Sequence, residues 1–321
     1  MYLLELAGDD ADPFAVCEAR TRCSAVERLA PGLATARGVD TATVGTLAYT
    51  RRVCRLVGTC SPDIAAAAAT LEAASVDRTG TVAVRARDVR GLADIDTQAA
   101  ERRLGSVLVD RGFEVDLDAP DHTLVALFSA DAAAVGWLST ETTRDFTDRR
   151  PTDKPFFQPG SMDPMDARAV ANIAGAAPNV RILDPMCGTG GILVEAGLAG
   201  ATPVGVDAQP KMVSGARQNL DHYLTDGAVL RGDATRLPFA DDSFDGAVFD
   251  APYGRQSKIE GQSLATLVGE ALEEVRRVAG RTVLIADRPW NEAADAAGWT
   301  VAERFDRRVH GSLTRYIHVL R

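Results

Sequence analysis

Lysine is nearly missing from this sequence: only Lys154, Lys211 and Lys258 occur in 321 residues, against 32 arginines. Glutamate is scarce too, with 14 Glu against 31 Asp, and the formal net charge is −10. An Asp-rich, Lys-poor surface suits a salt-rich interior, where strongly hydrated carboxylates keep a protein dissolved, so a halophilic source is expected. No run of about 18 uncharged apolar residues occurs, which excludes a membrane-spanning helix; the longest apolar run, around Ala65 and Ala69, is alanine. The start, Met1-Tyr-Leu-Leu-Glu5, has neither a basic n-region nor a signal core, and a cytoplasmic location is expected. The five cysteines (17, 23, 54, 60 and 187) are odd in number and form no Cys-x-x-Cys pair, and the four histidines are scattered. Neither a disulfide framework nor a metal site is expected.

What is present reads as two or three modules, since the chain is long for one core. Tyr2–Leu6 reads as a strand and Phe14–Leu29 as a helix. Thr46–Val57 reads as a strand bearing Arg51, Arg52 and Arg55. Ser61-Pro62 opens an alanine-rich helix to Ala74, with Ser61 as cap. Thr81–Arg87 alternates as a half-buried strand does, Thr97–Arg111 is a helix capped by Thr97, and Glu114–Asp118 and Thr123–Phe128 are strands. Residues 46–140 thus read as one α+β module. Residues 141–165 hold four prolines and Arg144, Arg149, Arg150 and Lys154 cluster about them, which suits an extended linker. From Asp166 the pattern becomes βα repeated, a doubly wound α/β domain, with a closing hairpin from Trp299–Phe305 and Ser312–Leu320.

The domain turns on Val180-Arg-Ile-Leu-Asp-Pro-Met-Cys-Gly-Thr-Gly-Gly-Ile-Leu-Val-Glu195. A short strand breaks at Asp184-Pro185, passes Gly188, Gly190 and Gly191, and enters a helix. Glycine is needed where a sharp turn brings backbone against a ligand, and the helix N-terminus beyond it offers free N–H groups. Four successive strand ends carry Asp: Asp184, Asp207, Asp233 and Asp250. In an open parallel sheet ligands bind at those carboxyl ends. Asp207 lies nineteen residues past Gly188, suiting a carboxylate that accepts both ribose hydroxyls, while the loop lacks the Gly-x-Gly-x-x-Gly spacing of dinucleotide folds.

Asp184-Pro-Met-Cys-Gly-Thr-Gly-Gly191 resembles motif I of class I S-adenosylmethionine-dependent methyltransferases. That resemblance implies a Rossmann-like domain and S-adenosyl-L-methionine as cofactor, held by Asp184, Met186, Gly188, Gly190, Asp207, Asp233 and Ala234. It gives Asp207 the ribose and Asp233 the adenine amino group. Asp250-Ala-Pro-Tyr253 resembles the Asp/Asn-Pro-Pro-Tyr/Phe motif of enzymes methylating exocyclic amines. In such an amine the lone pair is delocalised into the ring, and two acceptors on its N–H bonds favour the tetrahedral nitrogen. Asp250 and the Pro252 carbonyl are expected to be those acceptors, and Tyr253 to hold a flipped base. Ala251 stands where that family most often has Pro.

Phe156-Phe-Gln-Pro-Gly-Ser-Met162, Gly205-Val-Asp207, Leu237-Pro-Phe239, Asp250–Arg255 and His310-Gly-Ser-Leu-Thr-Arg315 resemble the archaeal tRNA (guanine-10-N2)-methyltransferases. Leu47–Arg52 and Glu101–Gly105 resemble a THUMP domain, an RNA-binding module. The resemblance implies a ferredoxin-like segment over residues 1–45, a THUMP-like domain over 46–140, a linker over 141–165 and a methyltransferase domain over 166–321. It implies tRNA as partner, with guanosine 10 becoming N2-methyl- or N2,N2-dimethylguanosine. Residues 1–150 hold 17 Arg and 23 acids, so no global basic field exists there. The clusters Arg51/Arg52/Arg55, Arg85/Arg87/Arg90 and Arg144/Arg149/Arg150/Lys154 are the candidates for phosphate contact. The alternatives are guanosine 6 of tRNA or a ribosomal guanosine, a DNA adenine-N6 enzyme, and a non-catalytic tRNA-binding scaffold. A small activating subunit is a further candidate partner, of which exposed apolar surface on the methyltransferase domain would be the sign.

Overall fold

The computed structural model describes residues 1–8, 11–253, 263–310 and 313–321, and the chain divides into two compact units, Met1–Arg144 and Asp145–Arg321. Gly254 and Arg255 of the Asp250–Arg255 motif, and Gly311 and Ser312 of the late one, lie outside the described residues.

In the first unit β1 (Tyr2–Leu6), α1 (Asp12–Ala19), β2 (Cys23–Ser24), β3 (Glu27–Ala30), β4 (Leu33–Ala36) and β5 (Gly38–Val39) come first. They are followed by β6 (Thr50–Cys60), α2 (Ile64–Ala73), β7 (Thr81–Asp88), α3 (Thr97–Val109), β8 (Glu114–Val115), β9 (His122–Phe128) and β10 (Ala133–Glu141). Eight of the strands form one sheet in the order β3-β4-β1-β6-β10-β9-β7-β8. Because β1 lies between β4 and β6 in that sheet, pairing runs straight across residue 45, where a division into two segments was expected. Helices α2 and α3 bury Ala67, Leu71, Leu104 and Leu108 against Val82, Leu124 and Phe128 of the sheet. Amphipathic helices covering one sheet face supply the burial that stabilises such a layer.

Several local expectations are corrected. The helix expected over Phe14–Leu29 ends at Ala19, and β2 and β3 follow it. Its end is closed by the Thr21 amide and hydroxyl on the Glu18 carbonyl, at 2.9 and 2.7 Å, while the fully buried Glu18 carboxylate accepts the Ala48 and Tyr49 amides at 2.8 and 2.7 Å and so pins the approach to β6. Asp63, not Ser61, caps α2 by accepting the Ala66 amide, and Asp96, not Thr97, caps α3 through Ala99.

The second unit contains α4 (Pro164–Ala174), β11 (Arg181–Asp184), α5 (Gly191–Leu198), β12 (Thr202–Asp207), α6 (Pro210–Tyr223) and β13 (Ala228–Arg231). Then come β14 (Gly246–Asp250), α7 (Leu264–Val278), β15 (Thr282–Ala286), α8 (Asn291–Ala296), β16 (Val301–His310) and β17 (Leu313–Leu320). The sheet order is β13-β12-β11-β14-β15-β17-β16, parallel through the first five strands and closed by an antiparallel hairpin. Successive strands are added outwards from β11 to β13 on one side and from β14 on the other, so the strand order reverses between the parallel neighbours β11 and β14, the switch point where open α/β sheets leave a crevice. Phe249, Leu284, Val268, Leu272 and Val275 make the core between sheet and α7.

The segment expected as a linker belongs largely to this unit. Arg149 is buried and donates to Glu195 of α5 at 2.8 Å, and Asn219 of α6 accepts the Phe156 amide and donates to its carbonyl, both at 2.9 Å. A Cβ on Gly215 would strike the Phe156 ring at 2.0 Å, so glycine there seats the ring directly on α6.

Candidate active site

The loop between β11 and α5 is built by its own short hydrogen bonds. Asp184 Oδ1 accepts the Met186 amide at 3.1 Å, closing the turn that Pro185 begins. Cys187 donates to Val206 O at 3.0 Å, tying the loop to β12, and Gly190 donates to Cys187 O at 2.7 Å. Gly188 and Gly190 have φ of +50° and +75°, the left-handed region that L side chains rarely enter. A Cβ on Gly205 would lie 2.5 Å from Leu193 and 2.9 Å from the Cys187 sulfur, so this glycine of Gly-Val-Asp lets the loop lie flat on β12.

Asp207 receives the Gly188 amide on Oδ2 at 3.0 Å and the Gln209 amide on Oδ1 at 2.9 Å. It thus joins the glycine loop to the start of α6. Burial lifts its pKa, while those two N–H donors pull it back. Asp184 is 2% exposed, and burial, together with the charges of Asp207 and Asp250, holds its pKa well above the carboxylate range. The structure therefore brings Asp184, Asp207 and Asp250 to adjoining ends of β11, β12 and β14. Asp233 departs from expectation: β13 stops at Arg231, and Asp233 is an exposed turn residue whose Oδ1 accepts the Thr235 amide and hydroxyl, both at 2.9 Å. It stays beyond the same sheet edge, with Ala234 buried beside it.

At the end of β14, Asp250 pairs in register with Ile285. Ala251 is buried and donates its amide to Ile285 O at 2.8 Å, carrying the ladder one residue past the strand. Proline lacks that donor. Loop order here comes from a hydrogen bond where the common motif has a ring. The Tyr253 hydroxyl donates to Asp250 Oδ1 at 2.8 Å and accepts from Arg315 Nε at 3.2 Å. Burial raises the Asp250 pKa to about 6; Arg315 and the Tyr253 hydroxyl oppose the rise, and the charge of Asp287 adds to it. Burial and the Asp250 charge raise the Tyr253 pKa, keeping that hydroxyl protonated as a donor.

Sequence reasoning missed two cations. Arg315 was visible only as the end of a motif, and its partners lie far away in the chain. Lys154 was grouped with phosphate-facing arginines, yet it is 6% exposed, and its ammonium lies against Gly191, 3.2 Å from where a Cβ would stand. That ammonium has no hydrogen-bond partner among the described residues. Burial lowers its pKa, partly offset by the charge of Glu195. Arg149, buried on Glu195, is likewise unavailable to phosphate.

In the first unit, Arg52 is paired with Glu5 and Glu141, Arg87 with Glu5, and Arg90 with Asp12. Arg55 and Arg85 remain exposed, and Arg78 lies over the Trp137 ring at 5.2 Å, beside Arg55 and His122 in one cleft. The large exposed apolar side chains among the described residues of the second unit are scattered: Phe157 in the loop before α4, Leu198 on α5 and Val309 on β16. Among the described residues no cluster of His, Cys, Asp and Glu could hold a metal, and no helix is long and apolar enough to cross a membrane.

Comparison with known proteins agrees with this geometry. Residues 151–317 match the family model UPF0020, described as an RMKL-like methyltransferase domain. A tRNA (guanine(10)-N2)-dimethyltransferase of Methanothermobacter thermautotrophicus is 36% identical over 283 residues, 85% of this chain and 83% of the relative. The chain belongs to the tRNA (guanine(10)-N2)-dimethyltransferase family. A second member, from Pyrococcus abyssi, is 33% identical over 75% of this chain and 74% of its own length. The crystal structure of TrmN from Thermus thermophilus shares the fold, with a TM-score of 0.51 and 23% identity over 99% of this chain and 98% of that one.

A methyltransferase of this family needs S-adenosylmethionine, and the residues fit it. Space is open around Gly188, where a Cβ would meet nothing within 4 Å. The unsatisfied Lys154 ammonium beside the N-terminus of α5 suits a carboxylate. Asp207 and Asp233 are carboxylates suited to a ribose and an adenine amine.

Proposed function

We propose that this chain is an S-adenosylmethionine-dependent methyltransferase that modifies the exocyclic N2 amine of guanosine in tRNA, at position 10. The position rests on the relatives; the observation that carries the chemistry is the Asp250 carboxylate at the switch point. One of its oxygens is held by Tyr253, and the other has no hydrogen bond among the described residues.

Asp250 Oδ2 and the Pro252 carbonyl accept the two N–H bonds of the amine and favour the nitrogen geometry with an available lone pair. With a pKa near 6, Asp250 is ionised at neutral pH and is placed to take the proton that the amine sheds after transfer. Tyr253 holds the base, and Asp184, Met186, Gly188, Gly190, Asp207, Asp233 and Ala234 form the cofactor site. S-adenosylmethionine supplies an electrophilic methyl group on a sulfonium, so the protein's share is positioning more than strong acid–base catalysis. The first unit supplies the tRNA contact, with Arg55, Arg78 and Arg85 as its available cations.

The test uses purified chain in high-salt buffer, labelled S-adenosylmethionine and unmodified tRNA transcripts, with nuclease mapping and nucleoside analysis of mono- and dimethyl products. Label on N2 of guanosine 10 is expected. Label at guanosine 6 or in ribosomal RNA keeps the chemistry and overturns the position. No label while cofactor still binds points to a missing activating subunit or to a scaffold. Asp250→Ala is expected to keep cofactor binding and lose transfer; equal loss of both contradicts its assigned role.

A further inference from the structure

Arg315 stands on β17, opposite Arg307 of β16, and is 5% exposed. A guanidinium so buried needs compensation for lost hydration. Its hydrogen bonds among the described residues nevertheless go to no carboxylate. Nε donates to the Tyr253 hydroxyl at 3.2 Å, and Nη2 to the Gly160 carbonyl at 3.3 Å. Tyr253 passes the connection on to Asp250 Oδ1 at 2.8 Å. Three segments far apart in the chain meet in this way: the Phe156–Met162 loop, the Asp250–Tyr253 loop and the closing hairpin.

We propose that Arg315 is a positioning residue for methyl transfer, holding Tyr253, and through it one oxygen of Asp250, against the Phe156–Met162 loop so that the other oxygen faces the amine. This deepens the reading of Asp250 as the amine's acceptor and rests on it. A planar guanidinium with two fixed donor directions ties a hydroxyl and a carbonyl at once. A carboxylate left to rotate would offer its acceptors in many directions. Misplacement of about 1 Å in such a site is worth on the order of 10²-fold in rate.

The charges around Asp250 set the sign of the effect. Burial disfavours its ionised form most, Arg315 on β17 and the Tyr253 hydroxyl favour it, and Asp287 beyond β15 disfavours it. Asp287 is itself paired with Arg288 at 2.8 Å. Removing Arg315 therefore raises the Asp250 pKa above about 6, and the acid limb of activity moves to higher pH.

The experiment measures kcat and KM for tRNA transcript against pH, with cofactor Kd by calorimetry, for the full chain and for Arg315→Gln, Arg315→Lys, Tyr253→Phe and the Gln/Phe double variant. Arg315→Gln is expected to lower kcat by about 10²-fold with cofactor Kd within about twofold, and to move the acid limb up by about one pH unit. Arg315→Lys returns the limb towards its original place. Tyr253→Phe moves it the same way, and the double variant is little worse than the worse single one, since both cut one chain. If Arg315→Gln does not fold, the lysine variant, Tyr253→Phe and the limb position still decide the matter. An unmoved limb in the variants that fold, or losses that multiply independently, overturn the proposal. Asp250→Ala, which removes the acceptor, separates the two readings. If it is inactive while Arg315→Gln is unchanged, only the positioning role fails; if it is fully active, the acceptor reading fails and the proposal with it.

Discussion

Glu195 is the most consequential buried charge outside the site, and its removal can be costed. It is fully buried on α5, receiving Arg149 Nε on one oxygen at 2.8 Å and Arg168 Nη2 on the other at 2.9 Å. The two arginines are only 6% and 5% exposed at their side chains. Glu195→Leu keeps approximate volume but removes both acceptors. Arg149 retains Asp145 at 2.8 Å, whereas Arg168 has no other carboxylate in ion-pair contact among the described residues. Breaking a buried pair by deleting one member costs about 3–5 kcal/mol, because the other charge stays desolvated. At about 2–4 °C per kcal/mol for a unit of this size, the melting temperature falls by roughly 6–20 °C. Adding Arg168→Met should recover much of that, since an apolar replacement of both members is often neutral. The assay is calorimetric melting of the full chain, with urea titration of the transition that α5 reports. A loss below about 1 kcal/mol for the single variant, or no recovery in the double, would refute the assignment of this network as a stability determinant.

The glycine loop separates strain from ligand contact. Gly190→Ala meets Leu220 and Ala216 at 3.0 and 3.1 Å with φ at +75°, so melting and cofactor affinity should both fall; Gly188→Ala, at φ +50° in open space, should weaken cofactor binding more than stability. Thermal shift with and without S-adenosylmethionine reads both, and equal behaviour of the two variants contradicts the distinction. The thiols of Cys23, Cys54 and Cys187 should be inert in the native chain at pH 8, because burial raises Cys23 to about 11, Cys54 to about 12 and Cys187 well above the ordinary thiol range. Cys60, half-buried, should react first in a timed alkylation read by mass spectrometry, and rapid labelling of Cys187 is the contrary result.

The catalytic half was legible because its signals are local. Asp184-Pro185, the glycines and the apolar run behind them occupy a few consecutive residues, and the turn, the helix start and the strand before it follow from the same steric facts. The first half carries weaker signals. β10 begins Ala133-Ala-Val-Gly136, a run without the β-branched alternation that marks a strand, and it exists because β6 and β9 both pair with it. The helix expected from Phe14 is cut short for a similar reason: Cys23–Ser24 pair with Gly38–Val39 and Glu27–Ala30 with Leu33–Ala36, a pairing that periodicity in the segment itself cannot reveal. Arg315 is the clearest instance within the site. Its partners Tyr253 and Gly160 are 62 and 155 residues away, so only the packed structure joins them.

The arginines resolve the tension between an acidic chain and an RNA substrate. Counting clusters in sequence suggested three basic patches, but many of their members already have carboxylates. Arg52, Arg87 and Arg90 neutralise Glu5 and Asp12, both buried, and Arg149 neutralises Glu195. A guanidinium's fixed fork suits that task better than an ammonium, whose compact charge holds its water more tightly. The one buried lysine close to the cofactor loop, Lys154, is the exception that lacks such a partner. With these arginines committed to carboxylates and a net charge of −10, no global basic field draws in a polyanion, and salt would screen such attraction in any case. On the function proposed above, recognition is expected to rest on placed arginines, with Arg55 and Arg85 as candidates, and on RNA shape.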